Sequence, residues 1–294
     1  MTYEPPTELP LGPETVAYRV NTEPVPFLGG GRALLLQVAH PKVAAGVEQH
    51  SAYASDPWGR LFRTVDVMLK LAFASPEVSA RQARKLAMMH ERVRGIADDG
   101  EPYDALDPAL LVWVWATLVD TALVCYERIF GALPVEDRTR YYDESKLVAY
   151  ACGVPRDGCP ESWAEFDAYM RRMIETELRA TPAGLMVARA TMTPPLPAPL
   201  GALAGVPLRL VTAGLLPPSL REAFGFPWDS ARERRLDAFF AAARRGLPIV
   251  PEGVRRFPSL WLINRRRPLR IGWLQRKGAK LTAERLGASS RTKA

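Results

Sequence analysis

Residues 106–126 carry no lysine or arginine, and their only carboxylates are Asp107 and Asp120. An uncharged stretch of this length belongs either in a bilayer or in the middle of a helical core. Asp120 would be costly at membrane depth, and no basic flank sets an orientation. The stretch therefore predicts a buried central helix over residues 109–130, closed by Gly131.

Helix punctuation dominates the rest of the chain. Asp56-Pro57, Ser75-Pro76 and Asp107-Pro108 each set a capping side chain before a proline suited to a first helical turn. They predict helices over 60–73 and 77–94, the second stopped by Gly95. An apolar run at 32–39 follows Gly29-Gly30-Gly31, which reads as a flexible helix start, and His40-Pro41 breaks it before a helix at 43–50. Further helices are expected over 137–152, 163–181 (capped by Ser162) and 228–245, with another apolar segment at 206–216. The segment TMTPPLPAP, residues 191–199, is too proline-rich for regular structure and reads as a linker. No period-2 strand pattern and no internal repeat stand out. The class is all-α. Its expected organisation is a flexible N-terminus over 1–14, a helical core over 15–229, and a basic helical extension over 230–294 packed in part on the core.

The balance of 48% hydrophobic and 24% charged residues in 294 is that of a globular chain. Cys125, Cys152 and Cys159 are too few and too irregular for a disulfide framework or a zinc site, and read as ordinary thiols of a reducing compartment. Residues 1–13 lack the basic and apolar regions of a signal peptide, so a cytoplasmic location is expected. The net charge of +7 is unevenly spread: residues 231–294 hold 17 Lys+Arg against 4 Asp+Glu, leaving the remainder at about −6. Runs such as Arg265-Arg266-Arg267 suit a peripheral contact with an anionic membrane surface. No aromatic interleaving or motif argues for nucleic acid.

The three histidines, His40, His50 and His90, all fall within one segment of about fifty residues, with Arg60 and Thr64 between them. Histidine is the commonest metal ligand and the usual acid-base group near neutral pH. Arg60 and Thr64 are four apart and share a helix face. His90 is flanked by Leu86, Met89 and Val93, and a neutral imidazole on an apolar helix face is how proteins hold haem iron. A guanidinium and a hydroxyl would then steer a bound dioxygen or a substrate. Read alone, His90 also suits a satisfied core histidine. The chain has no HExxH, no paired Glu-x-x-His for a di-iron bundle, no GxSxG and no Rossmann fingerprint.

The run from Gly30 through Leu34-Leu35-Leu36-Gln37-Val38-Ala39-His40-Pro41, then His50-Ser51, Asp56-Pro57, Arg60-Leu61-Phe62-Arg63-Thr64 and His90-Glu91-Arg92-Val93-Arg94-Gly95, resembles a family of haem oxygenases. That family includes the rubber-cleaving latex-clearing proteins and the MpaB-type oxygenase that trims a prenyl chain in mycophenolic acid biosynthesis. Weaker matches at Tyr103-Asp104, Trp113 to Asp120, Arg140-Tyr141-Tyr142 and Leu215-Leu216-Pro217 extend it over residues 15–229. The resemblance implies a globin-like helical core with one b-type haem (heme b), and oxidative cleavage of apolar, often isoprenoid or terpenoid, double bonds. It matches His90 to the proximal iron ligand, and Arg60 and Thr64 to the arginine-threonine pair of the haem pocket. Where rubber oxygenases place a distal lysine this chain has Arg63, which stays protonated and does not readily ligate iron. Glu48 is the nearby candidate for the family's proposed base.

Arg32 is a candidate partner for a haem propionate, since guanidinium grips carboxylate in a bidentate fork. His50 is a second, at the haem edge, and His40 reads as a junction residue hydrogen-bonding a helix end. The first expectation is a haem-dependent oxygenase whose partners are dioxygen and a hydrophobic small molecule. Its rivals are a non-catalytic haem protein that binds a diatomic ligand, and a helical module docking through its basic C-terminus.

Overall fold

The carboxylate of Asp107 accepts a hydrogen bond from the Ala109 amide at 2.9 Å, and Pro108 follows at the first helical position. This start opens the longest helix of the molecule, Pro108–Phe130. A computed structural model describes residues 6–51, 57–192 and 200–265. Fourteen α-helices lie among the described residues: α1 (Val16–Asn21), α2 (Val25–Leu28), α3 (Gly30–Ala39), α4 (Pro41–His50), α5 (Pro57–Phe73), α6 (Pro76–His90), α7 (Pro108–Phe130), α8 (Val135–Ala151), α9 (Trp163–Arg172), α10 (Pro182–Met192), α11 (Leu200–Gly214), α12 (Pro218–Ala223), α13 (Ser230–Gly246) and α14 (Glu252–Asn264). The fold is all-α. Asp56 and most of the 191–199 linker lie outside the described residues, as does the arginine run beyond Arg265.

α7 is apolar on most faces because helices surround it: α1, α2, α3, α8 and α13 all pack on it. It is long and apolar enough to cross a membrane, but 67% of its most apolar stretch is buried inside the fold. Trp113, Trp115, Cys125 and Ile129 are its inward side chains. Trp115 donates from its indole to the Ser145 carbonyl on α8 at 3.0 Å, and its ring lies 5.8 Å from Phe166 of α9. Tyr142 completes this aromatic group, 5.1 Å from Phe166, and donates to the Pro160 carbonyl at 2.6 Å. The indole and the phenol are thus buried with their polar tips satisfied.

Several boundaries differ from the sequence expectation, each for a visible reason. α6 stops at His90, and the chain turns into a two-stranded antiparallel hairpin, β1 (Arg94–Ile96) with β2 (Pro102–Asp104). Gly95 is a strand residue opposite Tyr103, where a Cβ would stand 2.6 Å from Gln49 Oε1. α9 widens into one π-helical turn over Met173–Glu177, and then Arg179 donates its backbone N–H to the Ala39 carbonyl. The N-terminus is packed from its first described residues: Leu9 and Leu11 are buried, and the Leu11 amide bonds Ala72 O at 2.8 Å. Leu236 and Phe240 of α13 are buried with Val25, Cys125 and Ile129.

The glycine triplet is explained by contact rather than flexibility. All of Gly30 and Gly31 is helical, and a Cβ on Gly31 would lie 2.3 Å from Thr212 Oγ1 on α11. The triplet lets α3 and α11 approach closely. Gly31→Ala gains about 1 kcal/mol of helix propensity, against an overpacking cost of about 1–3 kcal/mol beside a buried threonine. The expected outcome is a lower urea midpoint than wild type. A midpoint unchanged or raised would show that α11 yields freely.

Candidate functional site

Four helices each turn one face to a shared cavity of about 180 Å³. α3 contributes Gly30, Ala33, Leu34 and Gln37, and α5 contributes Arg60, Thr64, Met68 and Ala72. α7 adds Trp115, Leu118, Val119 and Ala122, and α8 adds Tyr141, Ser145 and Val148. Steps of three and four residues are those of single helical faces. Arg60 and Thr64 therefore meet at the cavity, as their spacing predicted. Thr64 is also exposed to solvent, which marks this end as the mouth.

The walls are mainly apolar, and most polar lining groups are turned to partners within the fold. Tyr141 donates to the Val119 carbonyl at 3.2 Å and Ser145 to the Tyr141 carbonyl at 2.6 Å. Asn21 donates to Ala17 O at 2.9 Å, and Gln37 Nε2 to Thr117 Oγ1 at 3.0 Å. Such a chamber suits an apolar guest with few orienting contacts. Sequence reasoning did not single out Gln37 or Tyr141. The signal for Gln37 was a lone polar residue within the apolar stretch 33–39.

His90 is the last residue of α6, which was expected to run on to Arg94. Short linkage through Ala74 and Ser75 folds α6 back on α5, which brings His90 within electrostatic reach of Arg60. The imidazole does not line the cavity; Arg60 is the link between them. Burial pushes the His90 pKa below the ordinary histidine range, and the Arg60 charge pushes it the same way. Its Nδ1 is buried with no hydrogen-bond partner among the described residues. A neutral imidazole with an orphaned nitrogen has the chemistry of an iron ligand, so the donor present fits a haem. Among the described residues no three His, Cys, Asp or Glu side chains gather into a metal-binding group.

The other candidates lie apart. Arg32 is buried, its Nη1 2.6 Å from the Asp120 carboxylate and donating to Thr121 Oγ1 at 2.7 Å, while its Nε donates to Leu215 O at 2.7 Å. It braces α3 against α7 and the end of α11, and a propionate would have to compete with that ion pair. His50 is exposed, donating from Nε2 to the Arg94 carbonyl at 3.1 Å and lying edge-on to Tyr103. Neither it nor the exposed Glu48 lines the cavity. The thiols of Cys125 and Cys152 are pushed up to about 12, and that of Cys159 to about 11, by burial. None is a thiolate near neutral pH.

His40 does stand at the junction of α3 and α4, but its ring makes no helix-capping bond, and its Nδ1 is buried without a hydrogen-bond partner among the described residues. Burial lowers its pKa; Lys42 and Arg179 add to this, while Glu177 and Asp107 oppose it. Because the folded pKa lies below the unfolded one, the unfolded chain takes up the proton first. Stability is then full above about pH 6.5 and lost as pH falls below it. Urea unfolding at pH 7 and pH 5 should show a smaller loss in His40→Gln than in wild type. Equal losses in the two proteins would remove His40 from that account.

Comparison with known proteins adds a family and few relatives. Residues 18–245 match the family model described as "ER-bound oxygenase mpaB/B'/Rubber oxygenase, catalytic domain". The match runs sixteen residues past Asp229, where the sequence resemblance was expected to fade, and takes in α13 up to Arg245. The chain is 27% identical over 224 residues to an uncharacterized protein of Mycobacterium bovis, covering 74% of this chain and 87% of the relative. An uncharacterized protein of Mycobacterium tuberculosis matches to the same extent. No solved structure matches the chain.

Proposed function

The chain belongs to the MpaB and rubber oxygenase family, and from that premise we propose that it is a haem-dependent oxygenase acting with dioxygen on an apolar substrate of isoprenoid or terpenoid kind. The observation that carries this reading is His90, an imidazole whose Nδ1 is buried without a partner among the described residues and which burial and the charge of Arg60 both shift toward the neutral form. In this reading His90 holds the iron of a b-type haem, and the haem, when bound, supplies the activation of dioxygen.

The protein's own residues supply position and polarity. Arg60 stays protonated at every working pH. It keeps a fixed positive charge at the cavity wall, where it stabilises negative charge developing on a reacting oxygen. Thr64, one turn along α5, presents a hydroxyl at the same wall and can donate or accept a hydrogen bond. Leu34, Met68, Leu118 and Val119 give the apolar substrate a surface to lie on and keep water from the reacting bond. Arg60 and Thr64 would orient the substrate from one face of α5.

Protein expressed with added haem precursor is expected to show a Soret band and substrate-dependent oxygen uptake with prenylated or terpenoid compounds. Arg60→Ala should keep the band and lose about 10²–10³-fold in oxygen uptake, the usual cost of removing one electrostatic stabiliser. Loss of haem from Arg60→Ala would instead make Arg60 a propionate partner or a structural residue. A Soret band without uptake of oxygen on any apolar substrate would turn the reading to a diatomic-ligand binder.

A further inference from the structure

α14 shows its apolar side to solvent. Its inner face holds Ser259 and Ile263, both buried, the latter packed with Leu69 and Ala74. Two charged grips fix that orientation: Arg255 Nη2 and Arg256 Nε reach Glu23 Oε1 at 2.8 and 2.9 Å, and Glu23 is only 1% exposed. The outer face then carries Val254, Phe257 and Trp261, at spacings of three and four residues, with 63%, 63% and 47% of their surface exposed. Ile249 and Val250, just before the helix, extend the stripe. A globular monomer scatters its exposed apolar residues; it does not usually align them with aromatic rings along one helix.

Charge supplies the complementary observation. Arg265, at the end of the helix, stacks its guanidinium on the Trp261 ring at 4.5 Å. The following residues 266–294 contain nine Lys+Arg against the single Glu284. Phe and Trp on one face of a helix that runs into a basic segment form the pattern of an interfacial helix on an anionic lipid surface. Tryptophan in particular favours the headgroup level. We infer that the outer face of α14 docks on a phospholipid surface carrying anionic headgroups. Docking there would deliver the molecule to the phase where apolar substrates dissolve.

The test is co-sedimentation of the full-length protein with two kinds of vesicle, phosphatidylcholine alone and phosphatidylcholine with one-third phosphatidylserine as an approximate fraction. Binding is expected to the second kind, weakening as salt rises. The double substitution Phe257→Ser with Trp261→Ser should weaken it by about tenfold or more, since two exposed aromatic anchors are removed. Circular dichroism of the double variant should match wild type, because both residues face outward. Glutamates in place of Arg266, Arg267 and Arg270 should abolish the salt-sensitive part. Vesicle binding unchanged in the double variant overturns the proposal. So does the absence of wild-type binding to either vesicle. A wild-type dimer by light scattering that the double variant converts to monomer, without vesicle binding, would assign the stripe to a second copy of the chain and overturn the lipid assignment.

Discussion

The ion pair between the buried Arg32 and the partly buried Asp120 ties together the helices on which the rest of the structure depends. Asp120 is the one charge between Pro108 and Tyr126 of α7, and it is kept there because Arg32 meets it from α3 at 2.6 Å. The same guanidinium bonds Thr121 and the Leu215 carbonyl, so α3, α7 and the end of α11 share one node. Breaking such a pair from one side leaves an uncompensated buried charge, at about 3–5 kcal/mol. That is a large part of a typical folding free energy of about 5–15 kcal/mol. Thr121 of this node also lines the cavity, of which α3 and α7 form two walls. The geometry of the chamber follows from where that pair sets the two helices.

Electrostatics then divides the three histidines. His50 is exposed and tied to the hairpin, while His40 and His90 are both shifted toward the neutral form by burial. Only His90 has the fixed charge of Arg60 beside it, and only Arg60 of that pair reaches the cavity. A histidine held neutral keeps a lone pair to give and gains little as an acid near pH 7. Under the proposed function such an imidazole suits ligation better than proton transfer, and the guanidinium sets a positive charge at the cavity wall.

Much of this was legible in the sequence, and the exceptions have physical causes. Asp107-Pro108 marked a helix start because capping and the missing proline N–H are local effects, whereas at Ser75-Pro76 the proline alone holds, since the Ser75 hydroxyl donates to the Glu77 carboxylate instead of capping. The Arg60–Thr64 pair was legible for the same reason, since helical spacing alone puts both on one face. Gly95 misled because a glycine that ends a helix and one that admits a neighbouring side chain look alike in one dimension. Gly31 was misread in the same way, its reason being Thr212, about 180 residues downstream. Arg32 was expected at a propionate because its partner, Asp120, lies 88 residues away and was read only as a cost to a membrane span. Leu9 and Leu11 hid in a proline-rich segment whose composition resembles a loose terminus, although both are buried. The outward stripe of α14 has no counterpart in any local rule, because which face of an amphipathic helix is covered is settled by its neighbours.

The central claim is that the His90 imidazole, held neutral beside Arg60, is the protein's haem ligand. Titration of the haem-free protein with haemin, followed at the Soret band, tests it most directly when wild type, His90→Gly, and His90→Gly with added imidazole are compared. The account predicts saturation at one equivalent in wild type, loss of tight binding in the variant, and recovery of the band when free imidazole fills the vacated position. Saturation of His90→Gly at the wild-type stoichiometry and affinity, without imidazole, would contradict it.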